Sequence, residues 1–132
     1  MDNSNSSIQT IQTSNAPQAI GPYSQGKIFG NLLFTSGQIA LDKDGNDFTQ
    51  SGIDEQTHLA LQNLRSVLEA GGSGLEHVIK TTIFLADMND FQAVNTIYAT
   101  YFTVQKPARS TVAVKTLPKN ARIEIEAIAV IP

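Results

Sequence analysis

Two hydrophobic repeats run along this chain, one of about two residues and one of about 3.6, and they divide it into strands and helices. Residues 122–126 read Arg-Ile-Glu-Ile-Glu, with three charged groups on one face of an extended segment and isoleucines on the other. Residues 127–131 are apolar throughout, so this strand is expected to pass from a half-exposed setting into a buried one. Upstream, residues 110–114 also alternate, and Leu117-Pro118-Lys119-Asn120 is expected to turn between the two. Residues 8–13 fit a short edge strand. Residues 25–29 and 31–38 fit a hairpin about Gly30-Asn31, and residues 77–85 a central strand.

The longer repeat appears twice. Ile53, Thr57, Ala60, Leu61, Leu64, Val67 and Leu68 form one helical stripe, with Ser51 and Asp54 as an expected capping box and Gly71-Gly72 as the stop. Phe91, Val94, Ile97, Tyr98, Tyr101 and Phe102 form the second, capped by Asp87 or Asn89, with Asn95 on its polar side. The order strand, hairpin, helix, strand, helix, two strands predicts an α+β domain with a mixed sheet and both helices on one face. A single domain over residues 1–132 is expected, with residues 1–7 frayed because nothing apolar ties them down. Two helices cover only one face of the sheet. Another copy of the chain is the expected cover for the other.

Composition narrows the chemistry. The chain has no cysteine, so disulfides, thiolate metal sites and thiol nucleophiles are excluded. Its two histidines, His58 and His77, show no metal-ligand spacing, and no Gly-x-Ser-x-Gly elbow accompanies the serines. Nine basic against twelve acidic side chains give a net charge of −3, which argues against a nucleic-acid or anionic-membrane surface. Asp42-Lys43-Asp44-Gly45-Asn46 lacks the closing glutamate of a calcium loop. Glycines 71, 72 and 74 follow a helix rather than open one, unlike a phosphate loop. The first thirteen residues lack a cationic and an apolar region, and no apolar run reaches the roughly 20 residues of a membrane span, so a cytoplasmic location is expected.

Two charged groups stand out. The guanidinium of Arg109 offers a rigid fork that matches a carboxylate, and Glu124 on a neighbouring strand could act on whatever that fork positions. The competing reading is an ion pair of Arg109 with Glu124 or Glu126 across the sheet. Tyr23, set by a Gly-Pro turn, reads more readily as a packed loop anchor than as a catalyst. The small residues Ser36 and Gly37 suit close approach by a backbone or a ligand.

Five stretches read in order carry a family resemblance. They are Gly21-Pro22-Tyr23-Ser24-Gln25, Thr35-Ser36-Gly37-Gln38-Ile39, Asp87-Met88-Asn89-Asp90-Phe91 on to Asn95, Pro107-Ala108-Arg109-Ser110, and Ile123-Glu124-Ile125-Glu126-Ala127. As a set they make the chain resemble the reactive-intermediate deaminase family of the YjgF or RidA type. The resemblance implies a chorismate-mutase-like fold of the bacterial trimeric kind, with the sheets of a homotrimer forming an inner barrel and clefts between subunits. It implies hydrolysis of 2-enamine and 2-imino acids, such as 2-aminoacrylate and 2-aminocrotonate, to 2-keto acids and ammonia, with no cofactor and no metal. Pyridoxal-phosphate-dependent serine and threonine dehydratases are the implied functional partners. Carried over by motif, Arg109 would hold the substrate carboxylate, Glu124 would place or activate water, and Tyr23 and Ser36 would line the cleft. Asn95 would close one side, and Thr111 would offer its backbone to the substrate nitrogen.

Two departures from the family pattern stand beside these. Thr111 replaces a cysteine common in the family, and the link from Phe102 to Pro107 is shorter than in the common bacterial form, with Lys106 where an apolar residue is frequent. The resemblance also leaves two other functions open: a regulatory trimer that binds small acids without turnover, and an RNA-directed translation inhibitor or ribonuclease.

Overall fold

The computed structural model describes residues 7–132. The expected fraying of residues 1–7 therefore lies, apart from Ser7, outside the described residues. The elements in chain order are β1 (Gln9–Ile11), β2 (Gly26–Phe29), β3 (Leu32–Thr35), α1 (Ile53–Ala70), β4 (Val78–Leu85), α2 (Phe91–Tyr101), β5 (Ala108–Ala113) and β6 (Ile123–Val130). They build one six-stranded sheet in the order β1-β2-β3-β6-β4-β5. Every neighbouring pair is antiparallel except β4 and β5, which α2 joins in parallel. This is the expected α+β arrangement. Both helices pack on one face, over a core that includes Leu33, Leu61, Leu64, Ile83, Leu85 and Ile125.

The strict alternation of β6 explains its position. Ile123, Ile125, Ala127 and Ala129 are buried beneath the helices, and Glu124, Glu126, Ile128 and Val130 are partly exposed on the other face. The expected passage into two-sided burial does not occur within one chain, because no described element covers that second face. Phe29 (52%), Phe34 (41%) and Val112 (42%) also remain exposed there. Most of β5, an edge strand, is exposed as well.

Helix ends follow local chemistry. Gly72 has φ +85°, its N–H bonds to Glu69 O, and Ser73 N–H reaches Leu68 O, so α1 ends in a Schellman arrangement as the glycine pair predicts. At the other end the expected Ser51 cap is absent. Gly52 is the N-cap and makes no side-chain bond. Buried Gln56 instead turns its amide back, donating to Thr49 O (3.0 Å) and Ser51 O (2.7 Å) and accepting from Arg122 N (3.0 Å). One side chain thus anchors the loop before α1 and the entry to β6. Asp87 accepts from Asn89 N (2.9 Å) and caps a 3-10 turn that leads into α2, so Asp87, not Asn89, is the capping side chain. Among the described residues no helix is long and apolar enough to cross a membrane.

Candidate active site

Arg109 lies opposite Thr81 in the β4–β5 register, and the Thr81 hydroxyl is 2.7 Å from the Tyr98 hydroxyl on α2. Arg109 therefore stands on the helix-bearing face. Its guanidinium carbon is 4.9 Å from the centre of the Tyr98 ring and 5.4 Å from that of Phe91, within cation–π range. Its Nη1 donates to Asn95 Oδ1 at 2.7 Å, so Asn95 orients the fork rather than facing solvent. Burial pushes the Tyr98 phenol pKa up, which keeps the ring neutral beneath the cation.

Glu124 lies opposite Phe84, three residues from Thr81 and so on the opposite face of the pleated sheet. In one chain Arg109 and Glu124 thus point away from each other. The alternative of an internal Arg109–Glu124 or Arg109–Glu126 pair is not what forms. The ion pair found among the described residues joins Arg122 to Asp90 at 2.8 Å. Among the described residues Arg109 forms no ion pair.

The Glu124 side is a cavity of about 580 Å³ whose lining includes Tyr23, Ser36, Gly37, Gln38, Lys119 and Glu124. A local irregularity shapes it. Phe34 faces Ile128 and Gln38 faces Ile125, so four steps along one strand match three along the other. Such a bulge re-aims side chains, and it sets Ser36 and Gly37 at the cavity. Thr35 Oγ1 takes the N–H of Ala127 at 3.0 Å across the gap. Ser36 Oγ donates to Ser24 O at 2.5 Å and ties down the loop that carries Tyr23, which is 56% exposed. Gly21, at φ +116°, supplies a turn that side-chain-bearing residues resist.

Gln25 completes this side. Its buried amide accepts from Thr13 N (2.7 Å) and donates to Thr13 O (3.0 Å) and Pro17 O (2.8 Å), pinning the segment before the Tyr23 loop. The buried anchoring roles of Gln25, which the sequence shows only as the end of a motif stretch, and of Gln56 have no signal in the sequence, since a glutamine in a loop or on a helix carries no pattern that reveals burial. Glu124 is half-buried, and desolvation, with Glu126 as a lesser like-charge neighbour, raises its carboxyl pKa. Thr111 lies with Met88, Phe91 and Arg109 along a shallower depression of about 420 Å³. Its hydroxyl oxygen is buried and has no hydrogen-bond partner among the described residues.

The structure therefore gathers the expected residues into two groups. Arg109, Asn95 and Thr111 share the helix-bearing face at the β5 edge, and Tyr23, Ser36 and Glu124 share the opposite one. The first group can grip a carboxylate, and the second can hold and move a proton. Among the described residues no cluster of His, Asp or Glu could hold a metal ion. His58 Nδ1 lies 2.8 Å from the Tyr101 hydroxyl, away from both groups.

Comparison with known proteins agrees along nearly the whole length. A RutC family protein of Pyrococcus horikoshii is 50% identical over 92% of this chain and 96% of its own length. The mouse 2-iminobutanoate/2-iminopropanoate deaminase is 47% identical over 92% of this chain and 90% of its own. The crystal structure of E. coli TdcF with bound serine superposes with a TM-score of 0.88 at 40% identity, covering 92% of this chain and 98% of that one. The sequence model described as endoribonuclease L-PSP matches residues 13–131, and with the deaminase relatives it establishes that the chain belongs to the reactive-intermediate deaminase family, YjgF or RidA type.

Proposed function

We propose that this protein hydrolyses short 2-enamine and 2-imino acids, of the 2-aminoacrylate and 2-aminocrotonate type, to 2-keto acids and ammonia. The reaction takes place in a cleft between two copies of the chain. One observation carries the reading: an oriented cationic fork with no acidic partner among the described residues and a half-buried carboxylate lie on opposite faces of one sheet. Each is half of a site, and a second copy supplies the other half. A homotrimer closing its sheets into an inner barrel suits the exposed apolar side chains of the uncovered face.

The chemistry needs what these residues provide. An enamine acid takes a proton at its terminal carbon and becomes an iminium, whose carbon is then open to water. Arg109, held by Asn95 and stacked on Tyr98, fixes the substrate carboxylate and with it the reacting carbon. Glu124 of the facing copy accepts a proton as water adds and returns it to the departing nitrogen. Substrate, water and a proton give the keto acid and ammonium. The Ser36 hydroxyl spends its proton on Ser24 O and presents lone pairs to the substrate. Tyr23 walls the cleft, and the Thr111 backbone meets the substrate nitrogen. Protonation of the terminal carbon leaves the neighbouring iminium carbon electrophilic, so the reaction calls for neither metal nor cofactor. In the cytoplasm, pyridoxal-phosphate-dependent serine and threonine dehydratases would supply these acids.

The decisive measurement is release of ammonia and of pyruvate or 2-ketobutyrate when the protein is added to a serine or threonine dehydratase reaction. Arg109→Ala retaining parental rates would end the proposal. The serine bound to the E. coli relative favours one competing reading, a regulatory trimer that holds small acids without turnover. Glu124→Gln separates the two, because it abolishes turnover in an enzyme and leaves a mere receptor's titration intact. The net charge of −3 weighs against an RNA-directed role, and a flat RNA-binding curve at low salt would close it.

A further inference from the structure

We propose that Gly37 is a positioning residue: its missing side chain leaves the space in which the carboxylate of Glu124 is held. Gly37 does not need to be glycine for its backbone. The described glycines with positive φ are Gly21, Gly30, Gly45 and Gly72, and Gly37 is not among them. It needs to be glycine for room. A Cβ at this position would stand 2.7 Å from Glu124 Cδ and 2.9 Å from Glu124 Cγ, with Oε2 nearer still. Carbon atoms rest about 3.5–4.0 Å apart, so the two side chains cannot coexist as placed.

The backbones cannot give way. Gln38 N–H bonds to Ile125 O at 2.8 Å and Ile125 N–H to Gln38 O at 3.1 Å, which locks the residues beside Gly37 and Glu124 to each other. Any side chain at residue 37 must therefore expel the Glu124 carboxylate from its place. Elsewhere, the spaces beside Gly26 and Gly71 are filled by core side chains such as Ile11 and Leu33, and that beside Gly74 by Glu76, two residues on. Among the described glycines, Gly37 is the one whose space receives an acid from a distant strand.

The displaced carboxylate has one direction open to it. Glu126 on the same strand, Lys119 on the turn before β6 and Tyr23 on its loop are the ionisable groups around the cavity, and beyond them lies solvent. Moved outward, Glu124 regains water and its titration falls toward the ordinary range, the reverse of the rise that burial causes. The consequence for turnover rests on the deaminase reading, in which Glu124 must lie within hydrogen-bond reach of the attacking water. Misplacement of a catalytic group by about 1 Å costs up to roughly 100-fold in rate.

A double-mutant cycle on stability, run without substrate, tests the placement directly. Gly37→Ala is expected to lower the melting temperature by about 2 °C in the parent, a modest loss because the displaced carboxylate ends a flexible side chain with solvent to move into, and by about 1 °C or less when Glu124→Ala has removed the opposing atoms. Carbon-detected NMR of the Glu124 carboxyl, compared between the parent and Gly37→Ala, is expected to show the titration moved downward. Turnover by Gly37→Ala should fall about tenfold or more, mainly in kcat. A Gly37→Ala loss that persists undiminished beside Glu124→Ala, or a Glu124 titration that does not move, overturns the inference. An unsound deaminase reading would show instead as an inactive parent, with the cycle and the titration unaffected.

Discussion

The two half-sites are built in different ways. Arg109 comes from a regular strand, is braced by a regular helix, and takes its orientation from Asn95 and Tyr98, one turn apart on α2. Tyr23, Ser36 and Glu124 meet across a loop, a strand bulge and a strand, and they are held together by buried amides and backbone bonds. The helix-braced half is stiff because its elements are. The loop-built half is stiff only while Gln25 and Ser36 keep their bonds. Damage to the first should therefore appear as lost binding, and damage to the second as lost placement and stability.

The largest effect expected is all-or-none. Arg109→Ala and Glu124→Gln should each be inactive alone. If the halves come from different copies, subunits of the two variants mixed in equal amounts and reassembled should regain about one quarter of parental turnover, the share of clefts drawing both intact halves. No recovery would mean that a single chain supplies both groups, against the placement of the two residues on opposite faces of the sheet. Arg109→Lys sharpens the same test. It keeps the charge but not the fork, and a loss of about tenfold in kcat/KM is expected, smaller than that of Arg109→Ala.

A middle-sized effect falls on the loop-built half. Gln25→Ala leaves Thr13 N–H and the carbonyls of Thr13 and Pro17 without their partner, at a cost of about 1–3 kcal/mol and a melting temperature lower by roughly 4–10 °C. The Tyr23 loop should loosen with it. Asn95→Ala on the other half touches an exposed bond, so its expected cost in stability is under about 1 kcal/mol, while the Michaelis constant rises because the fork is no longer aimed. Calorimetry beside steady-state kinetics separates the two patterns.

The same difference governs what could be read from the sequence. Strand and helix periods placed both helices, the hairpin and the last two strands, since a repeating face is visible in one dimension. They did not give the pairing of those strands: β4 lies between β5 and β6, so Arg109 and Glu124 are not on neighbouring strands. Arg109 was recognisable by type and by its place before an alternating segment. Its partner Asn95 was marked by the family motif alone and its bond to Arg109 by nothing local, because that bond joins an α2 side chain to a strand fourteen residues on. The bulge before Gln38 arises from pairing with β6, far along the chain, and no residue in 34–38 announces it. The Ser51 cap failed for a related reason: buried Gln56 turns back to serve that loop and the start of β6 together, a tertiary demand that overrides a local preference.

The smallest effect expected concerns protons, and it separates the halves most cleanly. Burial raises the Glu124 carboxyl pKa and Glu126 adds to the rise, whereas no acidic group among the described residues pairs with Arg109. A folded-state pKa above the unfolded one means that the native protein holds this proton more tightly. Glu124 therefore lends stability at low pH and withdraws it as pH climbs from the ordinary glutamate range through the raised value. Glu124→Gln should flatten that slope, measured by denaturant unfolding across the acid range. For turnover the sign is opposite, because the group must be ionised to accept a proton from water, so the acid limb of the pH–rate profile should sit above the ordinary carboxylate range. Glu126→Gln removes the lesser cause of the rise and should shift that limb downward, while Asn95→Ala, which acts on the other half, should lower kcat/KM without moving it.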